Sequence, residues 1–309
     1  MSARGYDHAA VHYGGDQELL AVAVPFLEGG LAAGEPTLVS MEPERAELVR
    51  DALPPSARVE YLSTSDLYAR PAAAIKSYRE LLAGFVAGGA AGIRIFGEIP
   101  SAAIDTSWDW WARYESAVNH AYGEFPLRSM CAYDTRTTPR HVLDDVARTH
   151  PFVATAGGHH TNTGYVDPLS FLTDPRPMTR LPIEGTAPRA ELADPRPSDA
   201  RRAVLATAPV DLPAAEVDDL VLAVSEIVDN ALRHGRPPVR VRIWAGAGQM
   251  VVSVHDAGPG PADPFAGLLP ADRVVGGRGL WIAHQICSEV TLHRDETGFT
   301  ARLAAGRPW

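Results

Sequence analysis

The 309-residue sequence has almost no lysine: Lys76, in "AIKSY", is the single one among 28 basic residues, so any lysine-dependent chemistry has one candidate. No run of Lys or Arg occurs, and the formal net charge is -10. That excludes the clustered positive stripe that a nucleic-acid or anionic-membrane surface needs, and no direct nucleic-acid partner is expected. Long apolar runs are missing too. The nearest approach, "LLAVAVPFLEGGLAAG", is broken by Pro25 and Glu28, well short of the roughly 18 residues of a membrane span. The start, "MSARGYDHAA", has no apolar signal core, so neither membrane nor export is expected and the cytoplasm is the expected compartment. Cysteine is scarce. Cys131 and Cys287 lie far apart without a CxxC partner and read as reduced buried thiols rather than a disulfide or zinc site. His159-His160 lacks a third ligand at metal spacing and reads as loop, so no structural metal is expected.

What is present suits two soluble domains, since 46% hydrophobic and 21% charged residues over this length can build two cores. Up to about Pro151, short apolar runs alternate with helical stretches: "AAVHY", "QELLAVAVPFLEGGLAAG", "PTLVSM", "ERAELVRDAL", "ARVEYL". "AGIRIFGE", "SWDWWARYESAVNHAY", "LRSMCAYD" and "PRHVLDDVARTH" continue the series, which predicts an α/β domain with a parallel sheet and crossover helices. Trp108, Trp110 and Trp111 stand at helical spacing and read as core.

Between the domains the periodicity stops and Gly, Pro, Thr and His dominate, with "DPRP" occurring at 174–177 and again at 194–197. The expected division is 1–155, a Pro/Gly-rich linker over 156–196, and 197–309. In the last part, "SDARRAVLATA" and "PAAEVDDLVLAVSEIVDNALRHG" read as helices, the second closed by Gly235 with Pro237 and Pro238 beyond it. Two hairpins follow, "VRVRIWA" with "MVVSVHD" and "EVTLHR" with "FTARLA", giving an α+β domain.

Three segments of this last part carry chemistry together. On the long helix, Glu226, Asn230 and His234 recur every four residues, opposite Ile227, Val228, Ala231 and Leu232, which are expected to face the core. Next, "DAGPG" places Asp256, Gly258 and Gly260 at a strand end. Then "GGRGL" places Gly276, Gly277 and Gly279 before Leu280 at a helix start. A carboxylate at a strand end can accept a hydrogen bond from an exocyclic amine, and glycines beside it admit a flat base. Glycines opening a helix expose N–H groups to phosphates. An Asn oxygen suits Mg²⁺, and a neighbouring Glu can orient or deprotonate a nucleophile.

In this order the segments resemble the GHKL (Bergerat) ATPase fold, an α/β sandwich, and most closely the anti-sigma-factor serine/threonine kinases of the RsbW and SpoIIAB kind. The resemblance implies ATP and Mg²⁺ as ligands, Glu226 as catalytic base, Asn230 as the Mg²⁺ ligand and Asp256 on adenine. It places His234, Gly258, Gly260, Gly276, Gly277, Gly279 and Leu280 around the nucleotide. It further implies a sigma factor and a STAS-domain anti-sigma-factor antagonist as partners, and allows a homodimer. Asp229 stands where the family has Thr or Ala, which would set an extra carboxylate near the phosphates. A histidine kinase would need a phosphoacceptor helix upstream, but "RAELADPRPSD" holds no His.

The first domain opens with "HYGGDQELL", a strand running through a Gly turn into a helix, the place of a phosphate loop. Gly14-Gly15-Asp16-Gln17-Glu18 offers two carboxylates where Walker A chemistry needs Gly-Lys-Ser/Thr, so no ATP hydrolysis is expected here. With "IRIFGEIP", "YESAVN" and "CAYDTRTTPRHVLDDVARTHP", this half resembles the MEDS sensory domain, a degenerate relative of RecA/KaiC-type folds, which implies a signal input. Candidate input residues are His12 and Glu98 at strand carboxyl ends, where ligands gather in parallel sheets, and Glu115 and Asn119 on one helix face. Capping helices and satisfying buried backbone is the structural alternative for these groups.

Two functions follow. One is a sensor-coupled anti-sigma factor and serine/threonine protein kinase. The other is a non-catalytic, signal-responsive module that sequesters a regulatory partner.

Overall fold

The structure, a computed structural model, describes residues 5–64, 70–101, 104, 108–270 and 278–306. The chain divides into two compact units, 1–172 and 173–309.

The first unit runs β1 (Asp7–Tyr13), α1 (Asp16–Ala32), β2 (Thr37–Ser40), α2 (Pro43–Asp51), β3 (Glu60–Tyr61), α3 (Pro71–Ala87), β4 (Ile93–Gly97) and α4 (Trp108–Ala121). It continues with β5 (Leu127–Asp134), α5 (Arg140–Thr149), β6 (Phe152–Thr155), β7 (Gly158–Thr161) and α6 (Pro168–Thr173). Its seven strands are ordered β3-β2-β4-β5-β1-β6-β7. All pairings are parallel except β6 with β7, as strands joined by crossover helices must be. Central position explains the sequence of β1, where residues 8–11 are all buried because both faces are covered.

α3 was not singled out by the sequence pattern, yet its Ala72, Ile75, Tyr78 and Leu82 fall at helical spacing and are buried. Trp108, Trp110 and Trp111 are core, with Trp108 Nε1 donating to Asp145 Oδ2 at 3.0 Å. His159 and His160 are not loop but lie in β7, on the exposed sheet edge.

The second unit contains β8 (Ala190–Ala193), α7 (Pro197–Thr207), α8 (Ala214–His234), β9 (Arg240–Gly246), β10 (Gln249–Asp256), α9 (Gly279–Ile286), β11 (Glu289–Asp295) and β12 (Gly298–Gly306). Its antiparallel sheet is ordered β11-β12-β10-β9-β8. Among the helical residues, Ala200, Val204, Leu220, Val224, Ile227 and Val228 pack on Ile243, Val252 and Leu303, so the three helices share one face of the sheet.

The stretch expected as linker is built into both units. β7 extends the first sheet and β8 pairs with β9 in the second. A 3-10 turn, Pro182–Gly185, brings Ile183, with Leu181 just before it, over Trp244, Val251 and Ala304 on the helix-free face. Arg302, 4% exposed, locks this cover. Its Nη1 donates to Thr179 O (2.6 Å) and Glu184 Oε2 (2.9 Å), and its Nη2 donates to Glu289 Oε1 (2.8 Å). A four-residue edge strand and a single turn leave no periodicity to read, which is why composition pointed to a spacer.

Candidate functional site

On α8, the buried stripe of Ile227, Val228 and Ala231 faces the sheet as the periodicity requires. Leu232 does not join it. At 46% exposed it stands outside the core, one helical position (about 100°) beyond Ala231. Asn230 and His234, one turn apart, line a cavity of about 470 Å³, a size within the range of small-molecule sites. The cavity floor is apolar: Val254 of β10 and Ala301 of β12, paired in register, with Phe299 and Leu280 beside them.

Asp256, the last residue of β10, is 4% exposed and lines the same cavity. Its Oδ1 accepts the backbone N–H of Gly258 at 2.6 Å and of Arg236 at 3.1 Å. Its Oδ2 has no hydrogen-bond partner among the described residues. The carboxylate is therefore oriented by the backbone with one acceptor left over. Gly258 has to be glycine, because a Cβ there would lie 2.6 Å from Asp256 Oδ1 and 2.9 Å from Gly235 Cα. Gly260 adopts φ +71°, and a Cβ on it would meet the Phe299 ring at 2.4 Å.

Glu226 and Gly279 do not line the cavity themselves but lie together beside its Asn230. A Cβ on Gly279 would stand 2.9 Å from Asn230 Nδ2 and 3.1 Å from Glu226 Oε2, so the start of α9 lies against both side chains. An added side chain there would oblige Asn230 and Glu226 to shift. Gly276 and Gly277 lie outside the described residues.

Asp229 is turned aside. Its carboxylate takes the Arg233 Nε at 2.9–3.0 Å in an i,i+4 pair, and it does not line the cavity. One helical position, about 100°, separates it from Asn230.

In the first unit, the phosphate-loop position holds the chain's own carboxylate: Gly14 N donates to Glu18 Oε2 at 2.7 Å. The four candidate input residues do not all form one site, although Glu98 and Glu115 both border a cavity of about 30 Å³. His12 is exposed at the end of β1. Glu98, 5% exposed, accepts the Glu42 backbone N–H (2.8 Å) ahead of α2 and the Arg45 Nε (2.6 Å). Burial still pushes its carboxyl above the usual range, though these donors pull the other way. It is a helix-end and ion-pair residue.

Glu115 and Asn119 do come together, in the core, with three residues that the sequence pattern did not mark. These are His8 of β1, Cys131 of β5 and His150 after α5. His8 Nε2 lies 3.3 Å from Cys131 Sγ and 3.3 Å from Glu115 Oε2, and His150 Nε2 is also 3.3 Å from Glu115 Oε2. Burial disfavours charge on every member. It pushes the Glu115 carboxyl and the Cys131 thiol up and holds the imidazoles down, His8 at about 4 and His150 at about 3. Cys131 lies on the expected strand "LRSMCAYD" and His150 ends the expected helix "PRHVLDDVARTH", but the expected strand "AAVHY" starts one residue after His8, and nothing in the sequence shows that β1 and β5 are neighbours.

Residues 7–151 match the MEDS family, described as the methanogen/methylotroph, DcmR sensory domain, and residues 191–305 match the histidine kinase-like ATPase domain family. Among solved structures the chain is similar to the RsbU and RsbW domains of Rv1364c from Mycobacterium tuberculosis, at 22% identity and a TM-score of 0.28. That similarity covers 39% of this chain and about a third, 32%, of the other. No match was found among the curated proteins. Among the described residues, no helix is long and apolar enough to cross a membrane.

Proposed function

For a chain that carries a MEDS domain followed by a histidine kinase-like ATPase domain, we propose that the second unit binds ATP with Mg²⁺. We further propose that the protein is a sensor-coupled anti-sigma factor and serine/threonine kinase acting on a STAS-type antagonist. The observation that carries the reading is the Asp256 carboxylate, held by two backbone N–H groups with its second oxygen unpartnered at a cavity with an apolar floor. That oxygen fits an exocyclic amine such as adenine's, and Val254, Ala301 and Phe299 fit the flat base.

Asn230 would hold the Mg²⁺ through its side-chain oxygen, a hard donor of the kind this ion selects. ATP-Mg²⁺ supplies the transferable phosphoryl group with its charge partly neutralised. Glu226, lying with Gly279 beside Asn230, would orient a substrate hydroxyl and accept its proton. Asp229, paired with Arg233, adds no carboxylate to the cavity lining. A sigma factor is the second partner of the reading, held or released according to the state of the antagonist.

The test is incubation of the full chain with labelled ATP, Mg²⁺ and STAS-domain proteins of the same genome, beside Glu226→Ala and Asn230→Ala. Label on a Ser or Thr of one STAS protein, lost in both variants, supports the kinase. ATP binding without transfer to any STAS protein would leave the sequestering module as the function. Failure to bind ATP by calorimetry would overturn the nucleotide site itself.

A further inference from the structure

The buried cluster of the first unit is independent of the nucleotide site, and its hydrogen-bond logic is that of a metal centre. Asn119 donates its Nδ2 to three carbonyls, those of Glu115 (3.1 Å), Ser116 (3.1 Å) and Thr149 (2.8 Å). Its Oδ1 is thereby aimed at His8 Nδ1, 3.1 Å away. An amide oxygen only accepts, so His8 carries its proton on Nδ1 and presents the lone pair of Nε2. His150 follows the same rule. Its Nδ1 lies 3.0 Å from Val146 O, which also only accepts, leaving the Nε2 lone pair exposed to the cluster.

Both lone pairs point at one carboxylate oxygen. Glu115 Oε2 is 3.3 Å from each Nε2, and neither Glu115 Oε2 nor His150 Nε2 makes a hydrogen bond. Glu115 and His8 are 1% exposed and His150 is fully buried. Two imidazole lone pairs, a carboxylate oxygen and a sulfur thus gather in one place, a donor set that a cation can bridge. Imidazoles whose outer nitrogens are held by carbonyl or amide oxygens are the usual form of metal-ligating histidines.

We propose that His8, Glu115, Cys131 and His150 bind one divalent transition-metal ion of the zinc class. Their donor atoms all lie within 4.8 Å of one another, and three of the pairs are at 3.3 Å. Tetrahedral bonds of about 2.0–2.1 Å to nitrogen or oxygen and about 2.3 Å to sulfur put neighbouring donors about 3.3–3.6 Å apart, so the ion needs only a small closure. Two imidazoles, a thiolate and one carboxylate select zinc-like ions over Mg²⁺ or Ca²⁺, which prefer oxygen. A cavity of about 30 Å³ borders His8, Glu115 and Cys131, room for about one water, so the ion has an open side. The ligands come from β1, α4, β5 and the end of α5, so loading or losing the ion acts on four elements at once.

The experiment uses the full chain, stripped with chelator and titrated with Co²⁺, followed by Zn²⁺ competition. One equivalent is expected, with a thiolate-to-cobalt charge-transfer band in the near ultraviolet and the intense visible bands of a tetrahedral site. Cys131→Ser should abolish the charge-transfer band while Cys287→Ser keeps it, and the double variant His159→Ala/His160→Ala should keep the full equivalent. Asn119→Ala, which frees His8 without removing a ligand, should weaken Zn²⁺ binding about 10–100-fold. A wild-type chain that gives no thiolate–cobalt band overturns the proposal, whatever the variants do. So does a band that survives Cys131→Ser.

Discussion

Gly279 stands so close to Asn230 that a single added carbon would lie 2.9 Å from the amide nitrogen. The start of α9 and the middle of α8 are thus in contact at the point where Glu226 also arrives. Gly279→Val should push α9 off Asn230 and weaken ATP binding by about tenfold or more, roughly 1.4 kcal/mol. Overpacking should cost the fold about 1–3 kcal/mol. Calorimetry with ATP-Mg²⁺ and thermal unfolding of the variant separate the two effects, and unchanged affinity would contradict the placement.

Asp256→Asn keeps an oxygen for the N–H groups of Gly258 and Arg236 but replaces the unpartnered oxygen by a donor. A donor facing an exocyclic amine leaves both groups unsatisfied, at about 1–3 kcal/mol, so ATP affinity should fall about 5- to 150-fold. The check is a titration with ATP, and an equal affinity in the two proteins would remove Asp256 from the base site.

Glu226→Gln preserves shape but accepts no proton. Phosphoryl transfer to a STAS substrate should drop by about 10²–10⁴ while ATP affinity stays within about twofold. Asp229→Asn is the contrasting variant. Because its pair with Arg233 is exposed, the loss should be about 0.3–0.5 kcal/mol of stability with transfer unchanged. A large gain in ATP affinity from Asp229→Asn would show that this carboxylate reaches the phosphates after all.

Arg302→Ala should destabilise the second unit by about 3–5 kcal/mol, because it strands the buried carboxylates of Glu289 and Glu184. Hydrogen exchange should then rise in residues 181–185, the segment that this guanidinium ties to the sheet. Protection that persists there would mean that Leu181 and Ile183 hold the cover alone.

In the first unit the Arg136 guanidinium grips the Asp134 carboxylate at 2.7–2.9 Å and holds its pKa below the usual carboxylate value. The folded pKa lies below the unfolded one, so the contribution is present above about pH 4 and is lost as pH falls through the folded value. Arg136→Ala should therefore lower stability slightly at pH 7 and not at all near pH 2, since Arg136 itself is exposed. Urea unfolding of both proteins across that range measures the difference, and a gap that stays constant with pH would refute the linkage.

The sequence by itself placed the candidate residues of the second unit on elements that the structure contains. Glu226 and Asn230 are one helical turn apart, so their common face follows from local geometry, and "DAGPG" and "GGRGL" sit at element ends that local signals mark. Even there Leu232 was misassigned, because a helical stripe has an edge and only packing against β10 and β12 shows where it ends. The sheets decided the rest. β8 exists because β9 offers an edge to four residues of a Pro-rich stretch, and the composition of those residues carries no trace of it. His8, Glu115, Cys131 and His150 are separated by up to 142 positions along the chain and share no spacing motif. They meet because β1 pairs with β5 in register, Ala10 beside Cys131, which puts His8 and Cys131 on one face beneath α4. Strand order is a long-range choice made by the whole core, and a cluster that depends on it becomes visible only in three dimensions.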